Sequence, residues 1–146
     1  MKVLKFGGTS VADSKSLSHV IEILKNQSER QFVVVSALGG ITNLLVQLAE
    51  KASEGTTAFH KELSTIEQRH LSIIQKFIPV TSQSEIISFL KAELNQLEAL
   101  LESVEVLREL TPKSNAKISS FGEILSSRII ATILKYQDLD VELKDA

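Results

Sequence analysis

The segment Lys2-Val3-Leu4-Lys5-Phe6-Gly7-Gly8-Thr9-Ser10 decides how the rest of the chain is interpreted. A short apolar run, rich in strand-forming residues, leads straight into two glycines and two hydroxyl residues, with a lysine two positions before the first glycine. Paired glycines let the backbone take positive φ and approach a ligand closely, so successive N–H groups can converge on an anion while a lysine adds a point charge. An ordinary tight turn between a strand and a helix fits the same residues.

The composition limits the partners that the chain can have. Its 146 residues suit about one domain, and a net charge of −2 gives no broad reason to bind nucleic acid or an anionic membrane. Any anion site must therefore be local. The absence of cysteine excludes disulfides and thiolate chemistry, and no apolar run reaches the roughly 20 residues that cross a bilayer. We expect a cytoplasmic protein without a signal peptide.

A strand, a helix and a second strand follow one another within the first part of the chain. Asp13 or Ser14 can cap a helix that ends near residues 26–30, and its apolar residues recur at helical spacing: Leu17, Val20, Ile21 and Leu24. The β-branched run at 32–37 predicts a strand covered on both faces of a parallel sheet. Such a unit crosses over right-handed and brings both strand ends to one edge. The first glycine turn and Ser36-Ala37 should then lie side by side.

A second pair of glycines also follows a predicted strand and precedes a hydroxyl residue. Residues 38–43 read Leu-Gly-Gly-Ile-Thr-Asn, and a helix with apolar positions Leu44, Leu45, Leu48 and Ala49 should follow. The first-turn N–H groups of a helix lack intrahelical partners, and its dipole favours a negative ligand there. Two glycine-rich turns are therefore predicted at one sheet edge.

Residues 58–110 predict a helical hairpin broken near Pro79. Apolar residues at helical spacing define its two arms: Leu63, Ile66, His70, Ile73, Ile74 and Phe77, then Ile86, Ile87, Leu90, Leu94, Leu97, Leu101, Val104 and Leu107. The second arm fits a coiled coil as well as a core helix, and we favour core packing. Glu67 and His70 have the spacing of half a di-iron site, but the other half is missing, so we interpret His70 as a packed residue.

The last third begins with Thr111-Pro112, a typical helix start, and a helix through residues 113–136. Gly122 inside it indicates either close approach of another group or a break between two helices. The neighbouring Glu123 is compatible with a solvated charge. If Phe121 and Leu125 on either side of it are buried, however, Glu123 should be partly desolvated. Residues 140–144 are predicted to form a third strand.

Three segments resemble, in order, the motifs of aspartokinases, which belong to the amino acid kinase superfamily. They are residues 5–11 (Lys-Phe-Gly-Gly-Thr-Ser-Val), 35–43 (Val-Ser-Ala-Leu-Gly-Gly-Ile-Thr-Asn) and 121–127 (Phe-Gly-Glu-Ile-Leu-Ser-Ser). The N-terminus and residues 110–123 are most similar to the kinase part of bifunctional aspartokinase/homoserine dehydrogenases. The resemblance implies an α/β fold, the three-layer αβα sandwich of the amino acid kinase type, here partial, with a mostly parallel sheet of about three strands and a long helical hairpin.

The resemblance also implies an activity and a set of site residues. Members of the family transfer the γ-phosphoryl group of ATP to the β-carboxylate of L-aspartate, an early step toward lysine, threonine and methionine. The residues carried over for ATP are Lys5, Gly7, Gly8, Thr9 and Ser10, with Lys5 as the catalytic residue. Those carried over for aspartate are Ser36, Ala37, Thr42 and Glu123. Mg²⁺ would be held through ATP, with no metal site built from this chain.

The family's kinase domain is about twice as long as this chain. We therefore expect residues 1–146 to be the N-terminal part of the catalytic domain, with a helical insertion at about 58–110, inactive alone and homo-oligomeric in its full-length parent. Two alternatives stay open. One is a non-catalytic αβα scaffold whose long helices serve association, and the other is an amino acid kinase with a different acceptor.

Overall fold

The computed structural model describes residues 1–55 and 59–145 of the chain. Two strands, β1 (Lys2–Phe6) and β2 (Gln31–Val35), form a parallel sheet in which Lys2 pairs with Gln31 and Phe6 with Val35. The described elements also include two 3-10 turns, Gly8–Val11 and Val80–Ser82, and five α-helices: α1 (Ser14–Lys25), α2 (Ile41–Ser53), α3 (His60–Phe77), α4 (Ser84–Leu107) and α5 (Pro112–Tyr136).

The β1-α1-β2 unit forms as its sequence predicts. The carboxylate of Asp13 caps α1 by accepting a hydrogen bond of 2.8 Å from the backbone N–H of Ser16. That backbone hydrogen bond holds the pKa of Asp13 below its usual value. The four predicted apolar positions of α1 are all buried, because the 3.6-residue period puts them on one side of the helix: Leu17, Val20, Ile21 and Leu24.

The predicted helical hairpin is confirmed for α3 and α4, and residue 58, where the prediction begins, lies outside the described residues. Helix α4 lies across the domain and packs against α2, α3 and α5. Its central leucines, Leu90, Leu97 and Leu101, are fully buried in the core. The apolar repeat of α4 therefore serves core packing, although Leu107 at its end is exposed. In the described part of the chain, no helix combines the length and the apolar character that crossing a membrane requires.

Helix α5 runs unbroken through Gly122 and is capped by Thr111, whose side chain accepts a hydrogen bond of 3.0 Å from the Ser114 N–H. A Cβ built on Gly122 would lie 2.8 Å from the Cβ of Ala37 and 3.4 Å from Cδ1 of Leu45. Of the two explanations for this glycine, close approach of another group is therefore confirmed, and the break between two helices is wrong.

The predicted third strand does not form in the described residues, where the sheet has two strands. The alternation of apolar and charged residues at 140–144 suits a strand only where a neighbouring strand supplies hydrogen bonds. Here Val141 and Leu143 instead line a cavity of about 600 Å³ beside Arg128 and Tyr136 of α5. Val141 packs against the core of the domain instead of pairing with a strand.

One face of the sheet is open, which corrects the prediction that β2 is covered on both faces. Val3 is 66% exposed, and Phe32 and Val34 are 55% and 47% exposed. Residues paired across the parallel strands share a face, so Val3, Lys5, Phe32 and Val34 form this open face. The described helices pack on the other face, where Leu4 and Val35 meet the core. The β-branched run of β2 is suited to a covering layer that the described residues do not contain.

Candidate functional site

The two glycine turns contact each other at the carboxyl edge of the sheet, as predicted. The chain leaves β2 with the Ser36 N–H donating to the carbonyl of Phe6 at 3.1 Å, so both strands end together. A Cβ built on Gly39 would lie 2.8 Å from the Cβ of Ala12 and 3.0 Å from the carbonyl oxygen of Gly8. Only a glycine fits at position 39 without moving the first turn.

Neither glycine of the first turn has a positive φ, so the expectation that these glycines are needed for positive φ is wrong. Gly7 has φ −74° and ψ 177°, values open to any residue, and Gly8–Val11 form a 3-10 turn in which the Ser10 N–H donates to the Gly7 carbonyl at 3.0 Å. A Cβ built on Gly7 would have no atom of the described residues within 4 Å. Gly7 therefore leaves its backbone uncovered toward solvent, where an anion can approach.

The second turn leads into α2 through Gly40, whose φ of +83° favours glycine. Ile41 donates its N–H to the Leu38 carbonyl at 2.9 Å, and Leu44 donates to the Gly40 carbonyl at 3.2 Å. Thr42 and Asn43 are exposed in the first turn of α2. Their N–H groups precede the first intrahelical hydrogen bonds, and the dipole of α2 makes this end of the helix favourable for a negative ligand.

Helix α5 brings the third motif against the second turn. Besides the contact of Gly122 with Ala37, the buried Ser126 hydroxyl donates a hydrogen bond of 2.7 Å to the Ser36 carbonyl. The Ser36 hydroxyl in turn lies 3.9 Å from the position of a Cβ on Gly8. These contacts connect all three motifs, and the hydrogen-bonded pair Ser36 and Ser126 is 90 positions apart in the sequence.

Glu123 does not have the partly desolvated environment that we expected for it. Its neighbours Phe121 and Leu125 are buried as predicted, but the Glu123 side chain is exposed. Gly122 and Ser126 form the face of α5 that meets the second turn, and Glu123 projects beside that face. The Ser126 hydroxyl lies 3.3 Å from the Glu123 carbonyl, so the backbone of Glu123 adjoins the contact. The role of its carboxylate stays a prediction.

Lys5 lies on the open face of the sheet, where it is paired with Val34 of β2, and its side chain is exposed. Thr9 is exposed and Ser10 half-buried in the 3-10 turn. Lys5 thus extends from the strand that leads directly to the uncovered backbone of Gly7. The charge of Lys5 is therefore available on the exposed side of the molecule.

Arg69 of α3 belongs to the same region and was not predicted from the sequence. Its Nη2 donates a hydrogen bond of 3.0 Å to the carbonyl of Ala12, and its Nη1 lies 3.4 Å from the position of a Cβ on Gly40. One side chain therefore contacts the end of the first turn and the start of α2. An arginine on the polar side of a helix looks like a solvated charge in the sequence, and Ala12 is 57 positions away.

His70 is a packed core residue, as we interpreted it. It is fully buried, and its Nδ1 lies 2.7 Å from the carbonyl oxygen of Ile66. Burial lowers its pKa to about 4, with the nearby charge of Arg69 acting in the same direction against the hydrogen bond to Ile66. Glu67 pairs instead with Lys91 on α4. Residues 1–55 and 59–145 contain no cluster of metal-ligating side chains.

The sequence model of the amino acid kinase family matches residues 1–145. The chain belongs to this family. Aspartokinase 1, chloroplastic, of Arabidopsis thaliana is 35% identical over 136 residues, which are 90% of this chain and 23% of that protein. The bifunctional aspartokinase/homoserine dehydrogenase of Buchnera aphidicola is 31% identical over 148 residues, covering 98% of this chain and 18% of the relative.

The solved structure of Escherichia coli aspartokinase III in complex with aspartate and ADP is similar to this chain with a TM-score of 0.83 and 29% identity. The similarity covers 94% of this chain and 29% of the chain in that structure. The aspartokinase-type α/β fold expected from the three motifs is thereby confirmed. This amino acid kinase chain spans less than a third of the length of each relative named here.

Proposed function

We propose that this chain is the N-terminal part of an aspartate kinase catalytic domain. The parent protein would transfer the γ-phosphoryl group of ATP to the β-carboxylate of L-aspartate and form 4-phospho-L-aspartate, toward lysine, threonine and methionine. The observation that carries the proposal is the direct contact between the two glycine turns, with Gly39 against Ala12 and the Gly8 carbonyl. The aspartokinase III structure that shares this fold is a complex with aspartate and ADP.

The residues of the first turn suit the phosphates of ATP. The uncovered backbone at Gly7 leaves room for a phosphate oxygen, and Lys5 supplies a cation from the adjoining strand. Gly8 and Thr9 would add N–H donors, and Thr9 and Ser10 hydroxyl donors, to the same group. Mg²⁺ bound through the phosphates would neutralise part of their charge.

The residues of the second turn and of α5 would hold the acceptor. In this proposal Ser36, Ala37 and Thr42 orient L-aspartate, and the Glu123 carboxylate pairs with its ammonium group. An oxygen of the β-carboxylate attacks the γ-phosphorus, the bond from that phosphorus to the oxygen bridging it to the β-phosphate breaks, and ADP leaves. The protein's part in such a step is positioning and charge neutralisation.

The open face of the sheet supports the proposal that this chain is one part of a larger domain. Val3, Phe32 and Val34 are apolar and exposed there, beside Lys5. The relatives continue well beyond the matched region, since this chain spans 23% of Aspartokinase 1. With only some of the charge-neutralising groups present, residues 1–146 should show almost no turnover. Turnover above about 1 s⁻¹ by these residues alone would contradict this part of the proposal.

The decisive assay is ADP formation by the full-length parent protein with L-aspartate or L-glutamate as acceptor. We expect aspartate to be required and glutamate to be a poor substitute. Equal rates with glutamate would favour an amino acid kinase with another acceptor. If neither acceptor supports ADP formation, and neither aspartate nor Mg-ATP raises the melting temperature, the non-catalytic scaffold is favoured, because a ligand that binds the folded form must stabilise it.

The role of Glu123 has its own test in the same assay. Glu123→Gln keeps the shape of the side chain and removes its charge, and a charge-assisted hydrogen bond contributes about 1.5–3 kcal/mol. The KM for aspartate should rise about ten- to a hundredfold, while the KM for ATP stays nearly constant. Glu102, an exposed glutamate of α4, provides a matched control as Glu102→Gln. A KM for aspartate that Glu123→Gln leaves unchanged would remove Glu123 from the site.

The proposed compartment is the cytoplasm. Aspartokinase 1 of Arabidopsis carries the designation chloroplastic, so cell fractionation of the parent protein is the test.

A further inference from the structure

Arg69 contacts both glycine turns from outside the sheet edge. Its Nη2 donates to the Ala12 carbonyl at 3.0 Å, just after the 3-10 turn and just before the cap of α1. Its Nη1 lies 3.4 Å from the position of a Cβ on Gly40, which is the residue that begins α2. The first is a hydrogen bond and the second is van der Waals proximity. Both come from one planar guanidinium group, which therefore lies between the Ala12 and Gly40 backbones.

The charge of Arg69 is not used in an ion pair within residues 1–55 and 59–145. The basic residues that lie within ion-pair distance of a carboxylate there are Arg30, Lys51, His60, Lys91 and Lys144. Arg69 is half-buried, and a guanidinium group has five N–H donors, of which the hydrogen bond to Ala12 uses one. In the described part of the chain its guanidinium group is held by the hydrogen bond to the Ala12 carbonyl and lies next to Gly40, rather than beside a carboxylate.

The other contacts between the turns depend on the same spacing. Gly39 fits against Ala12 and the Gly8 carbonyl with no room for a side chain. A small outward movement of Ala12 or of Gly40 would open this contact. It would also change the angle between the backbone N–H groups of the first glycine turn and those of the first turn of α2. A misplacement of about 1 Å can cost a phosphoryl-transfer enzyme about a hundredfold in rate.

We propose that Arg69 is a positioning residue that holds the first glycine turn and the N-terminus of α2 in register. It acts on the ligands through the Ala12 carbonyl and the Gly40 backbone. The expected effect of Arg69 on kcat rests on the proposed function, whereas its expected effect on amide exchange in the two turns does not.

The test compares three variants of the full-length protein. Arg69→Met keeps the length of the side chain and removes its donors, and Arg69→Lys restores one donor to Ala12. Arg30→Met is the matched control, because the Arg30 side chain is 92% exposed and lies 3.9 Å from its only paired carboxylate in the described part of the chain, that of Glu142.

Amide hydrogen exchange is the first readout. In Arg69→Met we expect faster exchange at the amides that close the two turns, those of Ser10, Ile41 and Leu44, while the buried middle of α4 around Leu97 exchanges as in the wild type. Arg69→Lys should restore part of the protection, and Arg30→Met should change none of it. Unchanged exchange in the turns, or an equal increase in α4, would overturn the inference.

Kinetics of the same variants are the second readout. We expect kcat to fall about ten- to a hundredfold in Arg69→Met, with part of the loss recovered in Arg69→Lys and no loss in Arg30→Met. A kcat equal to that of the wild type in Arg69→Met would overturn the inference. If the wild-type protein shows no aspartate-dependent turnover, the proposed function fails, and the exchange experiment alone decides on Arg69.

Discussion

Gly122 and Ala37 are in direct contact: a Cβ built on Gly122 would lie 2.8 Å from the Cβ of Ala37. The contact joins the middle of α5 to the second glycine turn. Since the Ser126 hydroxyl also donates to the Ser36 carbonyl, α5 supports the start of that turn at two neighbouring points. The turn is thereby held in place by the core of the domain.

The first prediction follows from this contact. An alanine in a helix is favoured over a glycine by about 1 kcal/mol, whereas overpacking a tight core costs about 1–3 kcal/mol. Gly122→Ala should therefore lower the free energy of unfolding by up to about 2 kcal/mol, measured by urea denaturation. The double variant Gly122→Ala/Ala37→Gly removes the clash and should show a favourable coupling energy. A Gly122→Ala protein more stable than the wild type would contradict the close contact.

The second prediction separates a glycine needed for a ligand from one needed for folding. A Cβ on Gly7 would meet no atom of the described residues within 4 Å, and the φ of −74° at Gly7 suits alanine, so Gly7→Ala should change stability by less than about 0.5 kcal/mol. In the full-length protein it should nevertheless weaken ATP binding at least about tenfold, because the methyl group covers the backbone that a phosphate would approach.

Gly39→Ala is the matched comparison for Gly7→Ala. Its Cβ would meet Ala12 at 2.8 Å, so this variant should lose stability whether or not a ligand is present. Calorimetry gives ATP affinity, and thermal melting gives stability. Wild-type ATP affinity in Gly7→Ala would show that the phosphates bind elsewhere.

The third prediction concerns the pH dependence of stability. The pKa of His70 is about 4 in the folded chain and near 6.5 when unfolded, so the unfolded state binds the proton first as the pH falls. Stability should decrease as the pH falls from 6.5 toward 4, by about 2 kcal/mol between pH 7 and pH 5. Asp13 and Glu62 have lowered pKa values, so their contributions are lost only at lower pH.

His70→Gln should remove most of this slope, whereas His19→Gln, at an exposed position of α1, should leave it unchanged. Urea denaturation of the chain at a series of pH values provides the measurement. An equally steep slope in His70→Gln would mean that another group is responsible.

The sequence predicted elements whose packing follows from a single helix or turn. The spacing of Leu17, Val20, Ile21 and Leu24 was enough to identify the buried face of α1, because a helix has one period. Gly122 indicated either a close approach or a break between two helices, and the sequence did not show which residue would approach it. Contact between the two turns followed from the right-handed crossover of the β1-α1-β2 unit.

Features that depend on distant partners could not be predicted in the same way. The strand expected at 140–144 requires a neighbouring strand, and the buried face expected for Phe32 and Val34 requires a covering layer. The position of Arg69 could not be predicted, because its neighbours Ala12 and Gly40 are distant from it in the sequence. Glu123 was placed in a desolvated setting because its neighbours are apolar, but a helix turns by about 100° per residue, and Glu123 is exposed.

The central claim is that the edge formed by the two turns is the phosphoryl-transfer site, and Lys5 tests it most directly. In the full-length protein, Lys5→Ala should reduce kcat/KM for ATP about 100- to 1,000-fold, because it removes a cation from the transferring phosphates. Lys2→Ala should have almost no effect, since Lys2 has the opposite strand parity and lies at the far end of β1. Equal effects of the two substitutions, or wild-type kinetics in Lys5→Ala, would contradict the account.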